Sequence, residues 1–220
     1  MALRHKTWMH WFMHTLKVYF IIVYIFISRS ICAQTEWKLH KSDSVNKIWL
    51  KDIKGSNIKQ FKLQTTIKEN LATLYKIMKD VETMNSWYDK VKNVKLLDKI
   101  SENEAIYLLE YDLPFPFEDR ITTIKGSIIY DKINGLINVK TTYYPYPIPK
   151  DKAHLLVVSK ISSSWEIRKI SESNASIIHS GFMDPSGNIP EWLINEGVTS
   201  GPLKTLDNLR KYAKTLHSAN

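Results

Sequence analysis

The stretch Asp184 to Leu209, DPSGNIPEWLINEGVTSGPLKTLDNL, constrains this chain most. It opens on a turn of Asp184, Pro185, Ser186 and Gly187. A helix start follows, with Asn188 placed as cap and Pro190 where a first-turn residue needs no donor. Large apolar residues then recur at helical spacing: Trp192, Leu193, Leu206, Leu209 and Tyr212. Nearly everything between about residue 37 and 183 reads as strands. A long final helix after a run of strands must lay its apolar face on their sheet, because neither buries its face alone. The expectation is an α+β domain in which a curved sheet grips one helix. Pro202, after Gly201, predicts a kink in that helix or a fresh start capped by Thr199 or Ser200.

The first 33 residues differ from the rest. Arg4, His5, Lys6 and Lys17 make a basic front, Val18 to Ile27 is an unbroken apolar run, and Ser28 to Ala33 supplies small and polar residues. This three-part order is that of a secretory signal, with cleavage expected between Ala33 and Gln34. The competing reading is an uncleaved membrane anchor. Ten residues rise roughly 15 Å, about half a hydrocarbon core. Extending the run back to Trp8 brings in His10, His14 and Lys17, which are expensive at membrane depth. The sequence therefore divides into an export signal over 1–33 and one domain over 34–220, placed in the periplasm or cell envelope.

Removing the signal removes Cys32, the single cysteine, so the remaining domain rests on its core without a disulfide. A chain of this size can do so, since a domain near 150 residues buries roughly 70% of its unfolded surface. Four of the 31 Lys and Arg residues lie in the first 33 positions, and all 22 Asp and Glu lie beyond them. The domain thus carries +5 rather than +9, an ordinary charge for solubility. No dense basic block interleaved with aromatics appears, which argues against nucleic acid. The charge is compatible with transient contact to an anionic membrane surface.

Along the domain, Glu36 to Leu50 reads as a short entry and a first strand, and Ile58 to Ile67 as a half-buried strand. Leu71, Leu74, Tyr75 and Met78 lie on one face of a short helix within Glu69 to Val81. Strands follow at Val91–Leu97, Glu104–Asp112, Ile121–Asp131, Leu136–Tyr143, Leu155–Ser162, Trp165–Ile170 and Ala175–Met183, with Asn134-Gly135 as a hairpin turn. Leu113 to Glu118 alternates prolines and cannot be a central strand. Tyr143 to Lys152 reads either as a stiff hairpin loop or as an aromatic lid over a cavity.

Catalytic and metal signatures are missing: no HExxH, GxSxG, Walker or GxGxxG loop, and no clustered His. A lone His within a strand, His179, reads as structural. What remains is Glu118-Asp119-Arg120 at the entrance to a β-branched strand. It is either a solvated turn or, with Arg120 pointing into the sheet concavity, a charge that needs a carboxylate or a ligand's polar head. Nothing calls for a cofactor.

Asp184 to Asn195 resembles the last turn and helix start of StAR-related lipid-transfer (START) domains, D-P-G-G-x-I/L-P-x-W-L-x-N. In the same order, Trp37, Ile48, Gly55-Ser56 and Lys59 to Phe61 resemble the family's opening run. Asp80, Trp87 and Val91 resemble its helix-to-strand turn, and Leu113 to Pro116 with Arg120 its PFP…RD segment. Trp165 falls where the family often has a tryptophan. The resemblance spans about residues 37 to 215. It implies a bacterial, exported member with the helix-grip fold: a monomer whose curved antiparallel sheet and long C-terminal helix enclose a cavity for a lipid. The cavity and anchor residues it implies are Trp87, Tyr88, Tyr107, Asp119, Arg120, Trp165, Met183, Trp192 and Leu193, with Arg120 as polar anchor. For each large apolar one, plain core packing is the alternative. The family's RD reads Arg120-Ile121 here, so Asp119 or Glu118 would have to pair with the arginine. The rival of another class is a cyclase or aromatase on the same grip, using Tyr, Asp or Arg side chains to move protons. A third is a partner-binding envelope protein with a filled core.

Overall fold

The computed structural model describes residues 36–218; the expected signal segment and the cleavage point expected for it lie outside them. Ten strands, β1 (Lys38–Ser42), β2 (Lys47–Ile53), β3 (Ser56–Ile67), β4 (Val91–Lys99), β5 (Glu104–Tyr111), β6 (Arg120–Asp131), β7 (Leu136–Tyr143), β8 (Leu156–Val157), β9 (Lys160–Ser171) and β10 (Asn174–Asp184), form one sheet. Its order is β1-β2-β3-β10-β9-β7-β6-β5-β4. Every pair along that path is antiparallel, and only the short β8 adds to β6 in parallel. Among the described residues two α-helices accompany it, α1 (Leu71–Lys79) and α2 (Glu191–Ser218).

Local chemistry accounts for the boundaries. The Asn70 side chain caps α1 by accepting from Thr73 N at 2.8 Å. Its apolar stripe of Leu71, Leu74, Ile77 and Met78 is buried. At the β6–β7 turn, Asp131 Oδ1 accepts from Asn134 N at 3.0 Å and Gly135 takes φ +60°, a backbone that disfavours a side chain. Helix α2 begins two residues later than the cap expectation, at Glu191. The Pro190 carbonyl accepts from Leu193 and Ile194, so Pro190 closes the first turn and Asn188 lies outside it. Nor does α2 restart at Pro202. The helix is continuous, and the Thr199 and Ser200 hydroxyls, at 3.1 and 3.0 Å, donate back to the Glu196 carbonyl instead of capping a new one.

Two strand expectations are corrected. Leu155–Ser162 is not one strand: Leu156 and Val157 bridge to Arg120 and Ile121 as β8, and β9 then runs unbroken from Lys160 through Trp165. The main core lies between one half of the sheet, α1 and the second half of α2, around Leu63, Leu74, Ile137, Ile167, Ile177, Leu206 and Leu209. A smaller cluster of Val91, Val94, Leu109, Tyr111 and Ile124 closes the other end. No helix among the described residues is long and apolar enough to cross a membrane.

Candidate functional site

Between these two clusters the concave face of the sheet is hollow. Residues that pair across strands share a face, so the pairings Ala105–Gly126–Thr141–Ser163–Gly181–Phe61 define one row running over β5, β6, β7, β9, β10 and β3. Its centre is small: glycine, threonine, serine, glycine. The next row on the same face is large, Ile128–Val139–Trp165–His179–Leu63. On the other side stand Ile161, Met183, Tyr107 and Ile124. A small row between bulky ones makes a trough. The first half of α2 covers it with Leu193, Ile194, Gly197, Val198, Gly201, Pro202 and Thr205, and the segment after α1 closes its flank with Met84, Trp87 and Tyr88. The cavity measures about 640 Å³ and is predominantly apolar. Pockets of this size and character hold small organic ligands.

Two bonds clamp the covering helix. Thr205 Oγ1 accepts from Asp89 N at 3.1 Å, and Lys204 Nζ meets Asp89 Oδ1 at 3.1 Å.

The sequence-derived candidates separate into two groups. Trp87, Tyr88, Tyr107, Trp165, Met183 and Leu193 all line the cavity. Trp87 and Trp165 meet edge to face with centroids 6.0 Å apart, and Tyr88 stands edge-on to Trp165 and tilted against Trp87. Arg120, Asp119 and Trp192 are not part of the lining. Arg120 is 2% exposed and turns to main chain: Nε donates to Pro185 O at 2.6 Å, Nη1 to Glu118 O at 2.6 Å and Asp119 O at 3.5 Å, and Nη2 to Ser186 O at 3.2 Å. Its role as ligand anchor is therefore corrected. The guanidinium fork pins the entrance of β6 to the Asp184–Gly187 turn before α2. Glu118 and Asp119 do pair with it, but through carbonyls. The Asp119 carboxylate goes to Lys92 at 2.7 Å, which holds it below the ordinary aspartate range. Trp192, 68% exposed, faces outward on the first turn of α2. Phe115 is 96% exposed beside Leu113 and Pro114, which line the cavity. The Tyr143–Lys152 segment is not a lid; it is a loop that begins the long connection between the antiparallel neighbours β7 and β9. It contributes nothing to the lining and is stapled to the sheet by Tyr144 N to Thr123 O, Thr123 Oγ1 to Tyr144 O and Lys152 Nζ to Glu110 Oε2.

Sequence reasoning missed the polar spot on the wall. Ser163 Oγ lies 3.1 Å from Nε2 of His179. His179 is fully buried, stacks on Trp165 at 3.7 Å with 15° between the planes, and has no partner at Nδ1 among the described residues. Burial pushes its imidazole down to about 3, so it is neutral. Tyr88 reaches Ser163 as well, and burial pushes its phenol up to about 12. The clue available in sequence was the small residues at alternate strand positions, Gly126, Thr141, Ser163 and Gly181. Glycine inside a strand marks a place where something else comes close.

A curved antiparallel sheet, a long C-terminal helix lying over its hollow and an apolar cavity between them define a helix-grip fold. The family model of the START domain matches residues 22–120. An uncharacterized protein of Pseudomonas aeruginosa is 28% identical over 184 residues, 81% of this chain and 87% of its own. START domain-containing protein 10 of Mus musculus is 22% identical over 172 residues, 76% of this chain; the match spans only 58% of that protein's length. The crystal structure of the STAR-related lipid transfer protein from Xanthomonas axonopodis, residues 25–204, superimposes with a TM-score of 0.70 at 22% identity, covering 81% of this chain and 98% of that one. The family model matches less than half of the chain and the solved neighbour shows the fold alone, so the chain is similar to START domains and shares their helix-grip fold.

Proposed function

We propose that this domain binds one lipid or comparably apolar molecule in the 640 Å³ cavity and shields it from water, as a carrier, transfer protein or sensor. The single observation that carries the reading is the cavity itself. A domain that served only as a filled structural core would not leave a trough of small residues under a helix, since interiors otherwise pack to crystal density. Burying ligand surface there gains about 25 cal/mol per Å² of apolar area. The likeness to lipid transfer proteins in the family model and in the Xanthomonas structure supports the same conclusion.

Binding is favoured over catalysis because the two titratable groups beside Ser163, one behind the wall and one on it, are held uncharged. Proton transfer at neutral pH is best served by a group with a pKa near the working pH. The His179 imidazole lies far below that point and the Tyr88 phenol far above it. Phe115 and Trp192, exposed beside cavity-lining neighbours, are the surface by which the domain would touch a membrane while loading. With the signal order of the first 33 residues, the proposed setting is the cell envelope and the working form a monomer.

One experiment reads ligand and N-terminus together: native mass spectrometry of the protein purified from its own host, followed by extraction of what it carries. The expected result is a chain beginning at Gln34 with one apolar adduct. A ligand-free mass together with failure to take lipid from vesicles would sink the carrier reading. A chain still beginning at Met1 would favour the anchor.

A further inference from the structure

A lipid that enters the cavity dries the wall it covers, so each polar atom there must find a partner in the ligand or go without. Among the acidic residues that line the cavity, Asp80, Glu82, Glu102, Asp112 and Glu196 are exposed and keep their water. Glu104 is 38% exposed and meets Lys125 Nζ at 3.4 Å. Asp89 is placed differently. Its side chain is only 11% exposed, and it is fixed from two sides: its main-chain N donates to Thr205 Oγ1, and its Oδ1 meets Lys204 Nζ, both at 3.1 Å. Lys204 is 63% exposed and does not line the cavity, so its ammonium serves one carboxylate oxygen from outside. The other oxygen, Oδ2, has no hydrogen-bond partner among the described residues. It lies beside Gly201 of the covering helix. A Cβ there would stand 3.7 Å from Oδ2, and the glycine leaves that oxygen uncovered.

We propose, resting on the lipid-binding reading above, that Asp89 is the polar-head contact of the cavity and takes a lipid whose head donates a hydrogen bond, a hydroxyl or a protonated amine. A carboxylate paired with an ammonium only accepts. The proton for Oδ2 must therefore come from outside the protein, from water when the cavity is wet and from the ligand when it is filled. A hydroxyl or N–H replaces the lost water. An ether oxygen, an ester oxygen or a quaternary ammonium brings no such proton and leaves the oxygen stripped. Hydrogen bonds to charged groups are the strong ones, and a charged group left unmatched is penalised more than a neutral one, which turns this difference into selectivity. An anionic head would meet a second negative charge at Asp89. Arg120, the buried guanidinium, is already satisfied by main-chain carbonyls and recruits no anion in its place. The head thus settles beside Gly201, and the trough between Gly126 and Gly181 is left to the apolar chain.

The test uses the full chain and three probes that share one decyl tail: decanol, decyl methyl ether and decylamine. Expected is binding of the alcohol, the amine or both about tenfold tighter than the ether, and whichever is preferred names the head as neutral or cationic. Asp89→Asn should lose the preference, because an amide can turn its NH2 to an ether as readily as its carbonyl to a donor. Lys204→Gln, which keeps the carboxylate, should retain it. Loss in both variants would mark an ion pair that only holds the helix, and overturns the proposal. The comparison on the unaltered protein needs no variant, so a poorly folded Asp89→Asn leaves the proposal exposed to refutation. Equal binding of all three probes overturns it, as does a preference that survives in a folded Asp89→Asn. Uptake of phosphatidylcholine, whose head carries no donor, from vesicles with none of the three probes bound overturns the donor selection and leaves the carrier reading standing. Binding of none of the four overturns both.

Discussion

Arg120 is where residue chemistry departs furthest from a plausible guess. A buried cation beside two acidic residues invites an ion pair, yet its planar fork is used on carbonyls from two separate segments. Gly187 shows how tightly the fork is fitted: it sits at φ +74°, and a Cβ there would meet Arg120 Nη2 at 3.1 Å and Leu156 Cδ1 at 3.2 Å. Removing the guanidinium leaves several carbonyls unpaired in a buried place. Arg120→Ala is expected to lose about 3 kcal/mol of stability in chemical denaturation. Arg120→Lys should recover little of it, because one ammonium cannot span the fork's partners. A loss below about 1 kcal/mol, or full recovery by lysine, would remove the pinning role. His179 gives a second prediction. Its folded pKa of about 3 lies below the unfolded value of 6.5, so the unfolded chain binds more protons between those limits. Its contribution is complete above pH 6.5 and is lost as pH falls. The expected loss is about 2 kcal/mol by pH 5. His179→Gln, which keeps a donor and an acceptor, should show a shallower fall in Tm between pH 6.5 and 5. Identical slopes would exclude His179 from the acid response. The Arg120 outcome was not legible in sequence because its partners are main-chain carbonyls, two of them 65 and 66 residues away. Trp87, Tyr88, Tyr107 and Trp165 line the cavity, yet size alone did not separate them from Trp192, which is 68% exposed.

Among the elements, α2 is two helices in character though one in hydrogen bonding. Its second half buries Leu206, Leu209 and Ala213 in the main core. Its first half spans the cavity and contains Gly197, Thr199, Ser200, Gly201 and Pro202, all poor helix formers. Amides over residues 191–201 should therefore exchange hydrogen faster than those over 203–216, and equal protection would contradict this. The weakness is correctable at one point. A Cβ at Gly197 meets nothing within 4 Å, so Gly197→Ala should raise stability by about 0.5–1 kcal/mol and slow that exchange. No gain in Tm would mean that the helix is not limited by its glycines. The order of elements was readable because helical and strand periods are local, and so were the α1 face and the Asn134-Gly135 turn. The split of β8 from β9 was not, because β8 exists only through its pairing with Arg120 and Ile121 on another strand. The continuity of α2 through Pro202 was missed for a related reason: that proline is buried, and tertiary contacts hold a turn that local propensity would break.

For the whole molecule, the cavity is a property of a row rather than of any residue. Its two central glycines differ in what they tolerate. A Cβ at Gly181 would meet the Phe61 ring at 3.0 Å and the Ser162 carbonyl at 3.2 Å, so substitution there strains the sheet. At Gly126 the nearest atoms, on Tyr107 and Thr141, stand 3.6 and 3.8 Å away, ordinary contact distances. Gly126→Val should then fill part of the trough, leave Tm within a few degrees of the parent and reduce bound lipid severalfold. Unchanged lipid content in a folded Gly126→Val would move the site elsewhere. Delivery is separable from holding. Phe115 and Trp192 are solvent-exposed, so they contribute little to the core, yet each adjoins residues that line the cavity. Large exposed aromatics beside an apolar opening suit insertion at a membrane interface. The double substitution Phe115→Asp and Trp192→Asp is expected to leave the amount of lipid bound at equilibrium unchanged and to slow its transfer between vesicles at least tenfold, since losing a few kcal/mol of interfacial burial is worth a factor of that size. Stopped-flow transfer of a fluorescent lipid between anionic vesicles measures the rate. Unchanged transfer with both aromatics replaced would place the membrane-facing surface on another side of the domain, whereas loss of bound lipid would make these two side chains part of the cavity's closure.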